Sequence, residues 1–178
     1  MMEELVVLVD HADSPMGTME KMEAHQKAML HRAVSVFVFD LNGRMLIQRR
    51  AFDKYHSPGL WTNTACTHPR PEESILEAAN RRLNEEMGLK TTTLVKLFDF
   101  VYKEALENGL TEYEFDHVYL GFCDVAPMPN PLEVSEFQYV YPDDLLKSIQ
   151  SAPALYTVWF KKIVERVIQA VSMQQSMI

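Results

Sequence analysis

Thr67-His68-Pro69-Arg70-Pro71-Glu72-Glu73-Ser74-Ile75-Leu76-Glu77-Ala78-Ala79-Asn80-Arg81-Arg82-Leu83-Asn84-Glu85-Glu86-Met87-Gly88-Leu89 holds the strongest helix signal in the chain. Ile75, Ala78, Ala79 and Leu83 recur at the spacing of a single helix face, and Gly88 supplies a stop, so the pattern predicts a helix over residues 72–87. Glu85-Glu86 at its end reads either as a solvated helix terminus or as part of a site. Just upstream, Thr62-Asn63-Thr64-Ala65-Cys66-Thr67-His68-Pro69 reads as an extended stretch. Side chains alternate on a strand, so Cys66 and His68 look into the same space: a thiol and an imidazole side by side.

Working outward, residues 5–9 form a short β-branched run, and Asp13-Ser14-Pro15-Met16-Gly17 has turn chemistry. A short helix is expected over residues 19–28. Residues 31–40 alternate as a strand, and Leu41-Asn42-Gly43 is a hairpin signal into a strand over residues 45–50. Ser57-Pro58-Gly59 breaks the chain. Beyond the central helix, strands are expected over 94–103 and 113–124, with Asn108-Gly109 in the turn between them. Pro127, Pro129 and Pro131 mark a loop. A strand over 137–141, a helix from about Pro142 and a longer amphipathic helix over 154–173 complete the order. Strands with interspersed helices and no internal repeat make this a single α/β (α+β) domain spanning 1–178.

The 178 residues suit one domain, and 47% hydrophobic with 24% charged residues is an ordinary globular composition. A net charge of −8 argues against nucleic acid or an anionic membrane as partner. Two cysteines without a CxxC pair exclude a zinc ribbon and a disulfide framework. No long apolar run occurs, and the start is acidic at Glu3 and Glu4, so neither a membrane span nor a signal peptide is expected and the chain reads as cytoplasmic. The eleven methionines read as adaptable core filling.

Further polar residues stand out. His25 and His31 are about 240° apart on a helix, so both can face one point only if helix or turn gives way to strand between them. Glu112 and Glu114 share one strand face, with Asp116 next in line and assigned no role. Cys123 reads as a small buried hydrophobe.

Glu73, Arg81, Leu83, Glu85, Glu86, Gly88 and Leu89 nearly complete the Nudix box G-x5-E-x7-R-E-U-x-E-E-x-G-U, in which U is aliphatic. The box, over about 67–89, is degenerate: Thr67 stands at the first glycine and Arg82 at a glutamate. Together with Thr62-Asn63-Thr64-x-Cys66-x-His68-Pro69 and Glu112-x-Glu114, this resembles the type I isopentenyl-diphosphate isomerases, the Nudix branch that has given up hydrolysis. The resemblance runs from Met16 to Trp159.

That resemblance implies a Nudix-like mixed sheet flanked by helices, and interconversion of isopentenyl and dimethylallyl diphosphate by protonation and deprotonation of the alkene. It implies a tightly bound Mn2+ or Zn2+ held by His25, His31, His68, Glu112 and Glu114, and a Mg2+ at Glu86 that arrives with the diphosphate. Three imidazoles with carboxylates suit such an ion better than calcium. Cys66 and Glu114 become opposed proton donor and acceptor, Tyr102 assists the carboxylate, and Trp159 roofs the cavity over a carbocation. Trp61 matches a further family tryptophan or is plain core. Val158 stands where the family has proline. Lys21, Arg50, Lys54 and Arg82 match diphosphate-binding positions. The expected partner is a small isoprenoid diphosphate, with no nucleic acid or membrane, on a monomer or weak dimer. The alternative is a Nudix pyrophosphohydrolase, which Arg82 opposes because hydrolysis needs the carboxylate it replaces.

Overall fold

In a computed structural model, residues 4–90 and 93–175 are described. Glu3 and the two ends of the expected 1–178 domain lie outside them.

The organising strand is β3 (His31–Phe39), nine residues whose alternate side chains enter different cores. Phe37 and Phe39 pack with α3 (Pro142–Ser151) and α4 (Val158–Gln175), through Leu145, Phe160, Ile163 and Val164. Val34, Val36 and Val38 pack on the other face against Ala78, Ala79, Leu83 and Met87 of α2 (Ile75–Met87). A strand with both faces covered reads as a nearly continuous apolar run, as β3 does.

Around β3 the sheet is mixed and has nine strands. β8 (Thr111–Phe122) runs parallel to it, with His31 opposite Glu114. β7 (Leu94–Ala105) pairs antiparallel with β8, placing Tyr102 opposite Glu114. β6 (Ala65–Thr67) pairs antiparallel with β3, placing Cys66 opposite Ser35. β4 (Met45–Arg50) follows β3 through the expected hairpin turn and pairs with β5 (Trp61–Thr62) and β9 (Val134–Val140). β1 (Leu5–Val9) and β2 (Pro15–Glu20) extend the sheet, with α1 (Lys21–Gln26) following directly.

α2 starts later than its periodicity predicts because Ser74 is its N-cap. The Ser74 hydroxyl accepts from Glu77 N while the Glu77 carboxylate accepts from Ser74 N, a reciprocal capping box. Gly88 closes the helix at φ 64°, in the left-handed region. A side chain there would also strike the Met128 carbonyl, 2.6 Å from where its Cβ would sit.

Other elements also differ from expectation, β7 running on to Ala105 and β8 shifted to Thr111–Phe122. Pro15–Gly17 already belong to β2 instead of a turn, and Met19 and Glu20 are strand, so the first helix shrinks to α1. The Glu20 carboxylate caps α1 by accepting from Glu23 N. The last helix starts at Val158, after a 3-10 turn over Pro153–Leu155, because Thr157 N is bonded to the Trp61 carbonyl. The strand expected over 137–141 begins at Val134. The methionines divide: Met45 and Met87 are core, whereas Met16, Met128 and Met173 are exposed.

Candidate active site

The face of the sheet that carries Phe37 and Phe39 is split. α3 and α4 cover its apolar half, and the remaining half opens on a cavity of about 170 Å³. Cys66, His68, Arg50, Lys54, Lys21, Arg82, Glu112, Glu114 and Trp159, named from the sequence, all line it.

His25 comes from α1, His31 starts β3, His68 follows β6 and Glu114 lies on β8. Their ligand atoms all fall within 4.8 Å of one another. His68 Nε2 is 3.0 Å, and His31 Nε2 3.8 Å, from Glu114 Oε1. Local backbone sets the two buried imidazoles. His25 Nδ1 lies 2.7 Å from the Lys21 carbonyl and His31 Nδ1 2.8 Å from that of Met29. Each Nδ1–H donates there, so each Nε2 is left as a lone pair, and both Nε2 atoms are buried without a partner. Burial lowers both imidazoles first, and the neighbouring His68 lowers them further, His31 to about 3. Neutral nitrogens with no donor nearby fit a divalent cation and little else. Glu112 does not join this group; its carboxylate faces His56 Nε2 at 3.8 Å and Tyr102 Oη at 3.0 Å.

Tyr102 Oη also lies 2.7 Å from Glu114 Oε2. A phenol has one proton, so contact with two carboxyl groups requires a proton on one of them. Burial pushes Glu112 well above the carboxylate range and the charge of Glu114 adds to this. Burial would raise Glu114 too, but the His68 hydrogen bond and charge outweigh it and hold the group at about 2. Glu112 is the protonated partner and Glu114 the ionised one.

Cys66 is held by β6, which pairs with the edge of β3 opposite to that paired with β8. Burial, with Glu86 behind it, pushes the thiol up to about 12, so it carries its proton. Arg82 of α2 lies next to it, with Nε 3.3 Å from the Cys66 carbonyl and Nη2 2.6 Å from Glu86 Oε1. Glu133 joins Arg82 and Lys54, and Gln48 Nε2 donates at 2.6 Å to Glu86 Oε2. Burial raises Glu86; Arg82 and Gln48 act against it. Trp159 Nε1 donates to Asn63 Oδ1 at 3.2 Å, which fixes the indole against the cavity. Trp61 is half-buried against the apolar core and does not line the cavity.

Some residues here escaped the sequence reading. Asp116, assigned no role, is 1% exposed and accepts from Ser35 Oγ at 2.7 Å. His56, 6% exposed, sits edge-on to Trp159 with centroids 5.7 Å apart. The only signal for His56 was its place beside the Ser57-Pro58-Gly59 break. Glu133 lies in the loop before β9 and had none.

Residues 29–160 match the NUDIX domain family. The chain is 52% identical over 163 residues to isopentenyl-diphosphate Delta-isomerase 2 of Photorhabdus laumondii, covering 92% of each chain. It is 48% identical over 162 residues to isopentenyl-diphosphate Delta-isomerase of Pectobacterium atrosepticum, covering 91% of this chain and 90% of the relative. This chain is a type I isopentenyl-diphosphate isomerase family member within the Nudix superfamily. Its fold is shared by a Deinococcus radiodurans protein, at TM-score 0.76 and 22% identity over 92% of this chain and 98% of the other. It is shared also by a MutT NUDIX hydrolase of Burkholderia pseudomallei, at TM-score 0.63 and 21% identity over 78% and 98%. Membership of the isomerase family accords with the break in the Nudix box, since Arg82 occupies a box-glutamate position and bonds to the box carboxylate Glu86. No helix among the described residues is long and apolar enough to cross a membrane.

Proposed function

We propose that this chain interconverts isopentenyl and dimethylallyl diphosphate in the cytoplasm, acting as a monomer or weak dimer on the free small molecule. The observation that carries the reading is a single cavity lined by a proton-bearing thiol, Cys66, and an ionised carboxylate, Glu114, with four cations at its rim.

Lys21, Arg50, Lys54 and Arg82 bind the diphosphate. Arg50 is the preformed receptor: it is 7% exposed, its Nε has no partner, and among the described residues it forms no salt bridge, its charge acting on Glu86 and Glu112 only at longer range. Lys21 and Lys54 each pair with one carboxylate, and Arg82 with three, Glu85, Glu86 and Glu133. Moving the double bond adds a proton at the terminal carbon and removes one from the carbon nearer the diphosphate. Cys66 has a proton to give and Glu114 a lone pair to receive one, and the reverse reaction exchanges those parts. Tyr102 holds the Glu114 carboxylate in place. Trp159 lays an aromatic face beside the cationic carbon, where a desolvated cation–π contact contributes about 2 kcal/mol or more.

His25, His31, His68 and Glu114, with Glu112 behind them, would hold one divalent ion, Mn2+ or Zn2+, and Glu86 a Mg2+ that enters with the substrate. Bound there, such ions supply Lewis acidity and charge neutralisation.

The test is proton NMR of isopentenyl diphosphate incubated with the protein and Mg2+ in D2O. Deuterated dimethylallyl diphosphate is expected. Absence of exchange, with phosphate released from nucleoside diphosphate derivatives, would replace the isomerase with a hydrolase.

A further inference from the structure

Asn63 lies between β5 and β6 and is wholly buried, as are Thr62 and Thr157. It does not line the cavity, yet its carboxamide is the hydrogen-bond partner of Trp159, which does. An indole N–H can only donate, so the 3.2 Å contact from Trp159 Nε1 fixes which end of the carboxamide is oxygen. The nitrogen end then points at two carbonyls, that of Ala65 at 2.7 Å and that of Val36 at 3.2 Å. Oδ1 accepts a second bond, from the Thr62 hydroxyl at 2.9 Å. Thr62 gives its one proton there, so in its 2.9 Å contact with Thr157 the Thr157 hydroxyl is the donor. Asn63 thus has both donors and both acceptor positions in use, and no group in the network titrates.

Val36 and Ala65 are themselves partners in the β3–β6 pairing, so the carboxamide is fastened to the sheet. The indole has two other close neighbours. The Arg50 guanidinium lies 5.4 Å from its centroid, and His56 stands edge-on to it at 5.7 Å. A cation is held as well by one face of a ring as by the other, so Arg50 does not choose the rotation of the indole. The directional bond at Nε1 does. The isomerisation reading, on which the next step rests, develops a tertiary cation beside Trp159. The face of an aromatic ring is the negative part of its quadrupole and the edge the positive part, so a turned indole would oppose that cation.

We propose that Asn63 is a positioning residue for the isomerisation: its bond to Nε1 holds the Trp159 indole with a face, and not an edge, toward the cationic carbon. Thr62, with Thr157 behind it, holds the carboxamide oxygen in turn. Because the acceptor is anchored to the sheet, the ring is aligned before substrate enters and need not reorient as charge develops.

The assignment is tested by calorimetric binding of two diphosphates of equal shape, one with a tertiary ammonium at the cationic carbon and one with neutral carbon there. The wild type is expected to prefer the ammonium compound, as a transition-state mimic. Asn63→Leu is expected to weaken the ammonium compound about 5- to 30-fold and the neutral one less than about twofold, with kcat falling in parallel and KM little changed. Trp159→Phe keeps an aromatic face but has no N–H. In that background, adding Asn63→Leu should change ammonium affinity by less than about threefold, because both substitutions remove the same bond. Costs that multiply, or equal effects on both compounds, would reduce Asn63 to a structural part of the sheet and overturn the assignment. If Asn63→Leu does not fold, benzothienylalanine at position 159, the sulfur isostere of tryptophan, removes the N–H alone. It should lose the ammonium preference by the same factor, and a preference kept in full would overturn the assignment as well. No ammonium preference in the wild type itself would overturn the isomerase reading along with it.

Discussion

Arg50→Met should leave the substrate-free protein as stable as wild type or more so, while removing diphosphate binding. Arg50 Nη2 donates to the His56 carbonyl at 3.2 Å, its guanidinium lies 5.4 Å from the Trp159 ring centroid, and Nε is unpartnered. Desolvating an ion costs several kcal/mol. Against that stand one hydrogen bond of about 1.5–3 kcal/mol and a cation–π contact of up to about 2 kcal/mol. Methionine fills a similar length without charge, so folding should gain between zero and about 2 kcal/mol. For a domain of this size, roughly 2–4 °C per kcal/mol raises melting by up to about 8 °C. Binding moves the other way. Losing two charge-assisted bonds of about 1.5–3 kcal/mol each weakens diphosphate by about 100-fold or more. At 100 times the wild-type Kd, the wild type gains about 2.7 kcal/mol from ligand and the variant about 0.4 kcal/mol or less. Thermal melts with and without inorganic diphosphate and Mg2+, beside steady-state KM, measure both. A variant that melts several degrees lower yet keeps its protection by diphosphate would refute the account.

Cys66, raised to about 12, should be alkylated by iodoacetamide at a rate rising about tenfold per pH unit from pH 7 to 10; levelling off near pH 8.5 would mean an ordinary thiol. His31→Ala removes one of the site's two buried, unpartnered Nε2 atoms, those of His25 and His31, so metal content after purification should fall, and chelator should lower the melting temperature of wild type but not of the variant. Arg82→Ala should raise KM for isopentenyl diphosphate about 10- to 150-fold with a smaller effect on kcat, and a phosphate-release assay should stay at background. Ser74→Ala breaks the capping box at a cost of about 1 kcal/mol, lowering melting by roughly 2–4 °C with kcat unchanged.

The elements legible in the sequence were those whose own side chains decide them. β3, β4 and α2 show strong apolar runs or periodicity, and Gly43 and Gly88 sit at left-handed turns that punctuate them. β2 was hidden because its side chains are nearly all exposed and its strand character comes from backbone pairing with β1. The start of α4 was hidden because a contact with Trp61, far away in sequence, holds Thr157 extended. The site divides in the same way. Cys66–His68 and Glu112–Glu114 carry their geometry in a two-residue spacing. His56, Glu133 and the Ser35–Asp116 pair acquire theirs only when β4 and β8 meet β3 and β9 meets β4.

The period of two puts Glu112, Glu114 and Asp116 on one face, but it cannot say whether that face is wet. Burial comes from β7 and the helices, and once it is imposed each group needs a separate answer. Glu112 keeps a proton beside Tyr102, Glu114 ionises against His68, and Asp116, which burial also pushes well above the carboxylate range, hydrogen-bonds to Ser35. The apolar half of the same face, with Phe37, Val118 and Phe160, has the packing to support this cost. An enzyme handling a diphosphate at one end and a hydrocarbon cation at the other needs both halves on one sheet. The strands supply that by changing composition along their length, from His31 to Phe37 and from Glu112 to Val118, without changing direction. The polar-to-apolar gradient along β3 and β8 is thus what lines up substrate and site, and Ser35 with Asp116 stands where the gradient changes sign.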